Sequence, residues 1–291
     1  MTDRSGARLT PVRRSWPSFR PTAGVNATVS DLEAAVGDLT AARRLVREER
    51  RVTERQQRGF EQFRRTVADV EPASPADAAG ATGSVSPGWT TGSAASVDTR
   101  CRRVRAAFEE QIMPHVDDEA TDVYETLAAE LSGDIAVALA SEGGGNQFTE
   151  PLRRAILEHV DQRLAESRVM VRALAQERTA LDDAIGTLKA VSESIPAVDE
   201  SVRILCADGE LWERRTRVVS LEAEIDRAVR ERQSTLDDVT AADIKAGISH
   251  DTVVEYLFAD HDTTYPALDA LARGARECRR RRDVLDTALG E

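Results

Sequence analysis

Between residues 160 and 195, apolar side chains return every seven positions. One seam holds Val160, Ser167, Leu174, Leu181, Leu188 and Ile195, and a second holds Leu164, Val171, Arg178, Ile185 and Ser192. Positions three, four and seven apart share a face only on an α-helix; a strand would need a period of two. A repeat held this long predicts coiled-coil-like packing against neighbouring helices. The segment must therefore fold as a long rod that hides one side.

The same spacing organises most of the chain. Thr28 or Ser30 can cap a helix bearing Leu32, Val36, Leu39 and Val46, continued after a phase shift by Val52, Phe60, Phe63, Val67 and Val70. Pro72 follows its end, giving about 40 residues and roughly 60 Å. Cys101, Val104, Phe108, Ile112, Val116, Ala120, Val123, Leu127, Leu131 and Ile135 form the next stripe, which Pro114 should kink or split. GGGNQ at 143–147 should end it. Thr149 caps the heptad helix, with Glu150 and Pro151 in its first turn, and Pro196 terminates it. A helix over about 198–239 would use Val202, Leu205, Trp212, Val219, Ile225, Val229, Leu236 and Val239. Two shorter helices near 249–259 and 264–289 close the chain, the last opened by Thr264 and Pro266.

Apolar residues make up 41% of the chain but aromatics only 4%, so the core must be aliphatic, which suits helix-on-helix packing. The expected fold is all-α: an elongated helical bundle of coiled-coil-like long helices with a short C-terminal helix pair. Residues 1–27 read as a flexible arm and 72–97, rich in Pro, Gly, Ser and Ala, as a disordered linker. The long basic helix at 28–71, a bundle core at 98–240 and a C-terminal segment at 241–291 packed on it would make one domain interrupted by that linker.

Charge is distributed unevenly. The chain carries a net −12, with 51 acids and 39 bases, of which Lys189 and Lys245 are the sole lysines. An acidic, lysine-poor surface fits a protein kept soluble in concentrated salt. Yet residues 1–70 carry fourteen Arg and nine acids. Glu54 stands four before Arg58 and Glu61 four before Arg65, the favourable order for ion pairs along a helix. The candidate interaction residues are Arg43, Arg47, Arg50, Arg51, Arg55 and Arg58 on the first helix, with Arg279, Arg280, Arg281 and Arg282 near the end. Acidic helices of the bundle or of another subunit could match this basic face.

Enzymatic motifs are absent. There is no GxxxxGK[ST], no GxGxxG after a strand, no HExxH and no G-x-S-x-G elbow. None of the four His follows a Glu by three residues, as a di-iron bundle requires. His115 and Glu119 share a helical face beside Asp118, but no second ligand pair accompanies them. Cys101, Cys206 and Cys278 are odd in number and far apart, which fits a reducing cytoplasm rather than a disulfide framework. The twin Arg13-Arg14 lacks the apolar stretch an export signal needs, and no apolar run approaches a membrane span. No catalysis, cofactor or metal is expected.

Residues 242–258, ADIKAGISHDTVVEYLF, have the spacing of a helix-turn-helix, with Ala242, Ala246, Gly247, Ile248, Val253 and Tyr256 in place. The would-be recognition helix has no Arg or Lys and carries Asp251, Glu255, Asp260 and Asp262, which phosphates would repel. Asp243 also stands where a small apolar residue normally packs. Three stretches together resemble a family of haloarchaeal helical proteins with no assigned function. They are the Arg/Glu helix ending in GFEQFRRTV, the pair CRRVRAAFEEQIMPHVDDEATDVYETLAAELSGDIAVALA and FTEPLRRAIL, and VVEYLFADHDTTYPALDALARGARECRRRRDVL. That resemblance implies a cytoplasmic all-helical protein and supplies no catalytic residues. The expected role is a non-catalytic scaffold or protein-interaction protein, with a protein partner or a second copy of itself. The alternative is a nucleic-acid-associated regulator using 242–258 or the Arg clusters.

Overall fold

The computed structural model describes residues 28–73, 99–116, 122–140, 147–194 and 208–290, and 87% of these are helical, with no strand among them. The expected arm at 1–27, most of the linker at 72–97, the glycine run at 143–145, Pro196 and Cys206 lie outside the described residues. The helices are α1 (Thr28–Asp69), α2 (Thr99–Gln111), α3 (Val123–Glu130), α4 (Gly133–Ala140), α5 (Glu150–Ser194), α6 (Asp208–Asp237), α7 (Ala241–Ala246), α8 (His250–Leu257) and α9 (Pro266–Leu289), with a 3₁₀ turn at Met113–His115. Among the described residues the packing divides in two. A first unit holds the residues up to Arg50 and from Met170 onward; a second holds Arg51–Val169. Helices α1 and α5 contribute to both.

The second unit closes around aromatic and aliphatic side chains from every one of its helices. Phe60, Phe63 and Val67 of α1 meet Val104 and Phe108 of α2, Leu127 of α3, Ile135 of α4 and Ile156, Val160 and Leu164 of α5. The Phe63 and Phe108 rings pack edge to face, 5.5 Å apart. Pro114 does split the stripe, as its spacing predicts: α2 stops at Gln111 and Met113–His115 tightens to 3₁₀. A second break follows α3, which ends at Glu130 with Leu131 as its cap. Ser132 accepts from the Ile135 N–H at 3.2 Å and so opens α4 as a new helix, although Leu127, Leu131 and Ile135 keep the apolar phase and are all buried. Thr149 caps α5 as expected, its hydroxyl 3.4 Å from the Leu152 N–H.

The first unit packs α6 antiparallel to α9. Arg215 donates to Asp286 at 2.5 Å near one end, and Arg279 and Arg282 donate to Glu222 further along. The buried stripe of α6 differs from the expected one. Trp212 and Val219 are 45% and 41% exposed, whereas Leu211 and Val218, one residue earlier, are 3% and 2% exposed. The buried series Leu211, Val218, Ile225, Arg232 is a heptad whose fourth member is charged, which disguises it in the sequence. Along α5 the first seam is buried at Leu174, Leu181 and Leu188; the second is only partly covered at Val171, Arg178 and Ser192.

Two glycines mark where helices come closest. A Cβ on Gly59 would lie 2.3 Å from the carbonyl oxygen of Gln111 and 2.9 Å from the His115 ring. The end of α2 thus rests directly on the α1 backbone. A Cβ on Gly274 would meet only the tips of Leu188, at 2.6 Å, and Ile225, at 3.3 Å. A backbone carbonyl cannot turn aside, whereas a leucine tip can. Gly59→Ala should therefore lose stability by about 1–3 kcal/mol through overpacking, despite gaining about 1 kcal/mol of helix propensity. Gly274→Ala should fall within about 1 kcal/mol of neutral because the two effects offset. Amide hydrogen exchange over 51–69 and 99–116 for the first variant, and over 266–289 for the second, checks the order.

Candidate functional site

Along the second-unit half of α1, Val52, Phe60 and Phe63 turn inward and Arg51, Arg55 and Arg58 face solvent. Their spacing of four and three puts them in one row. The expected ion pairs along the helix do not form: Arg58 makes none with Glu54, and Arg65 donates to the backbone oxygen of Glu61 at 3.2 Å rather than to its carboxylate. Glu61 instead accepts from Gln57 at 2.9 Å. Among the described residues Arg51, Arg55 and Arg58 hold no ion pair. His115 sits beside the row, its carbonyl accepting from Gln56 at 3.0 Å. Burial lowers the pKa of His115, and Arg55 and Arg58 lower it further, so the ring favours its neutral form. Asp118 and Glu119, its companions in the sequence, lie outside the described residues.

Arg64, Arg153 and Arg163 of the second unit are engaged, whereas exposed Arg102, Arg103 and Arg168 hold no ion pair among the described residues. Arg64 donates to Asp161 at 2.5 Å, and Arg153 donates to the Ala68 carbonyl at the end of α1 at 2.8 Å. Arg163 bridges Glu130, at 2.6 Å, and Glu166, at 2.8 Å, while its guanidinium lies 5.9 Å from the Phe60 ring centre.

In the first unit Arg43 donates to Asp182 at 2.7 Å, Arg47 is exposed and Arg50 half-buried. The four-arginine run of α9 does not gather on one face. Arg279 and Arg282 go to Glu222, at 3.2 and 2.6 Å; Arg280 and Arg281 go to Glu277, at 2.5 and 2.6 Å. Glu277 is 1% exposed. It stands on the apolar phase of Ala270, Gly274, Cys278, Arg281 and Leu285, and that phase was the signal available for it. Cys278 is pushed up to about 11 by burial and then by Glu222 and Glu277, so its thiol stays protonated at neutral pH.

The 242–258 segment forms helix, left-handed glycine, helix, with Gly247 at φ 68°. Asp243, the misfit in a DNA-reading motif, is the third residue of a capping box. Its carboxylate accepts from the Thr240 N–H at 2.7 Å while the Thr240 hydroxyl accepts from the Asp243 N–H. Arg172 also donates to Asp243. Burial alone would raise the Asp243 pKa, but Thr240 and Arg172 outweigh it and hold the carboxyl below its ordinary range. Helix α8 buries His250, Val253, Val254 and Leu257, leaving Thr252 and Glu255 outside. Tyr256, expected at a core position, is half-buried and donates to Glu49 at 3.2 Å.

The sequence reading missed a buried polar cluster. Glu177 on α5 is 0% exposed and accepts from Arg232 of α6 at 2.5 Å through Oε2. His250 Nε2 lies 3.2 Å from the same oxygen, and its Nδ1 lies 3.2 Å from the Thr235 carbonyl. One charged residue on each of two apolar stripes was the trace left in the sequence. Arg232 lines a cleft of about 370 Å³ between α5, α6 and the start of α9. Among the described residues no three His, Cys, Asp or Glu side chains form a metal-binding group, and no helix is long and apolar enough to cross a membrane. The buried cluster ties α5, α6 and α8 together through one carboxylate.

A family model described as a domain of unknown function, DUF7260, matches residues 37–282. No curated protein and no solved structure matches the chain.

Removing one partner of the buried pair strands the other charge. Glu177→Gln should cost about 3–5 kcal/mol, and Glu177→Met with Arg232→Met should recover most of it, read by denaturant unfolding. Asp243 acts through pH. Its folded pKa is depressed, so its contribution is present above the unfolded value of about 4 and is lost as pH falls through the folded one. Amide protection over 241–257 should drop below about pH 4, and Asp243→Asn should remove that acid transition.

Proposed function

The chain belongs to the DUF7260 family of unknown function, and from that footing we propose that it is a non-catalytic helical interaction module whose row Arg51, Arg55 and Arg58 receives an acidic protein surface. The observation that carries this reading is a contrast. The chain holds more carboxylates than guanidiniums. It uses them to pair Arg43, Arg64, Arg163, Arg172, Arg215, Arg232 and Arg273. Among the described residues, three arginines in one row are left without such a partner in a protein with acids to spare. A guanidinium fork suits carboxylates two at a time. The partner can be a different protein or a second copy of this acidic chain.

The composition supports a salt-adapted cytoplasmic setting. In salt of about 1 M the Debye length falls to about 3 Å, so steering at a distance is lost and only contact pairs remain. A row of guanidiniums at helical spacing is what contact pairing needs. A nucleic-acid role has less support, because the outer face of α8 offers Thr252 and Glu255 rather than cations.

Affinity capture from the native cell tests the reading. The wild-type chain should retain an acidic partner in roughly molar salt, while Arg51→Glu, Arg55→Glu and Arg58→Glu together should release it. Retention by the triple variant, or arginine-dependent retention of duplex DNA instead, contradicts the proposal. His115 supplies a second readout. Neutralising Arg55 and Arg58, by substitution with Ala or by a docked carboxylate surface, should raise its pKa in an NMR titration.

A further inference from the structure

Helix α6 of the first unit buries one side and leaves the other open. Leu211, Val218, Leu221 and Ile225 are buried. On the opposite side Thr216, Ser220 and Ala223 make an exposed strip of small side chains, bordered by the exposed Trp212 and Val219. Along its other border run Glu213, Arg217, Glu224 and Arg227, at steps of four, seven and three that keep them on one side of the helix. Among the described residues these four charges form no ion pair. Arg217 donates to the Ser194 hydroxyl at 3.0 Å. It does not pair with Glu213, although the two stand four apart in the favourable order.

The signs alternate along the helix: negative, positive, negative, positive. Glu213 and Arg227 stand seven residues either side of Ser220, and Arg217 and Glu224 stand three and four residues from it. A parallel second copy of α6 would set like charge on like at all four positions. Reversed about Ser220, the copy sets Glu213 against Arg227 and Arg217 against Glu224. We propose that this face of α6 is a self-association surface that takes a second copy of the chain, antiparallel and two-fold symmetric about Ser220. Such an interface is isologous, so each contact occurs twice. The strip of small side chains lets the two axes approach to about 8 Å, the close end of helix packing. That approach brings the charged borders into reach of each other and covers Trp212 and Val219. A uniformly acidic or uniformly basic partner would meet like charge at two of the four positions, so the alternation selects the same string reversed. The surface is independent of the arginine row on α1, which belongs to the second unit.

Sedimentation equilibrium of the full chain tests it. The mass should rise with concentration toward twice that of one chain. Glu213→Arg and Arg227→Glu, both at exposed positions, each set like charges across the pair and should weaken association about ten-fold or more. The two substitutions together in one chain exchange the signs and keep every antiparallel contact matched. That double variant should return the dissociation constant to within about three-fold of wild type. Neither a parallel pairing nor a defect within one helix would be repaired in this way, because Glu213 and Arg227 are too far apart along α6 to touch. Circular dichroism should be unchanged in all three variants. Arg51→Glu, Arg55→Glu and Arg58→Glu together should leave self-association unaltered, which separates this surface from the α1 row. The proposal is overturned if the wild-type chain stays monomeric at about 100 µM, if the folded single variants associate as the wild type does, or if the folded double variant fails to recover the dimer.

Discussion

Each of the two units takes its core from a stripe on α5. In the second unit Ile156, Val160 and Leu164 serve; in the first it is Met170, Leu174, Leu181, Leu188 and Val191. A helix of 45 residues with so few aromatics around it can cover such a stripe only with other helices. That requirement explains why strands are absent among the described residues and why glycines occur where helices touch. It also explains why short elements such as α7 and α8 need their own caps. A six-residue helix gains little from propensity. Thr240 and Asp243 at one end of α7 and Gly247 at the other supply what packing does not.

Arginine in place of lysine shapes how the charges are arranged. A guanidinium can serve two carboxylates at once, and several here do so. Arg163 joins Glu130 to Glu166, and Arg273 joins Asp38 of α1 to Asp269 within α9. The converse also occurs, with Glu222 serving Arg279 and Arg282, and Glu277 serving Arg280 and Arg281. A lysine ammonium has no fork to offer such geometry. Isolated surface pairs add little to stability, but shared ones fix the register of one helix against the next. The Arg215–Asp286 and Arg282–Glu222 contacts do this for α6 against α9.

Much of the helical architecture could be read from spacing. Long apolar phases, Pro114, the Thr149 cap and the Pro266 start each act locally, so their physics sits within a few residues of the chain. Three features escaped the apolar spacing, each for its own reason. The stripe of α6 was placed on Trp212 and Val219 because bulk and hydrophobicity outrank Leu211 by eye, and because Arg232 breaks the true heptad. Glu177 and Glu277 read as solvated acids, since burial of a carboxylate depends on partners in other turns or other helices. The Ser132 break leaves the apolar phase untouched, so periodicity does not register it. The arginine row was visible as composition. Which arginines are left without carboxylates was not, because Asp182 and Asp161 lie more than ninety residues from Arg43 and Arg64.

The buried Glu177–Arg232–His250 cluster then decides what α8 can do. Removing Glu177 and Arg232 from water costs several kcal/mol for each ion, so the pair is poor evidence of stability as such. Its effect is on specificity. Glu177 is on α5, Arg232 on α6 and His250 at the first position of α8, and one carboxylate oxygen serves both partners. A shift of α8 by one residue would break the His250 contact and carry either Val253 or Val254 out of the core. The helix that a DNA-reading segment would have to present is thereby held against α5 and α6 by its most buried residues. What it leaves outside, Thr252 and Glu255, offers no cation to a phosphate.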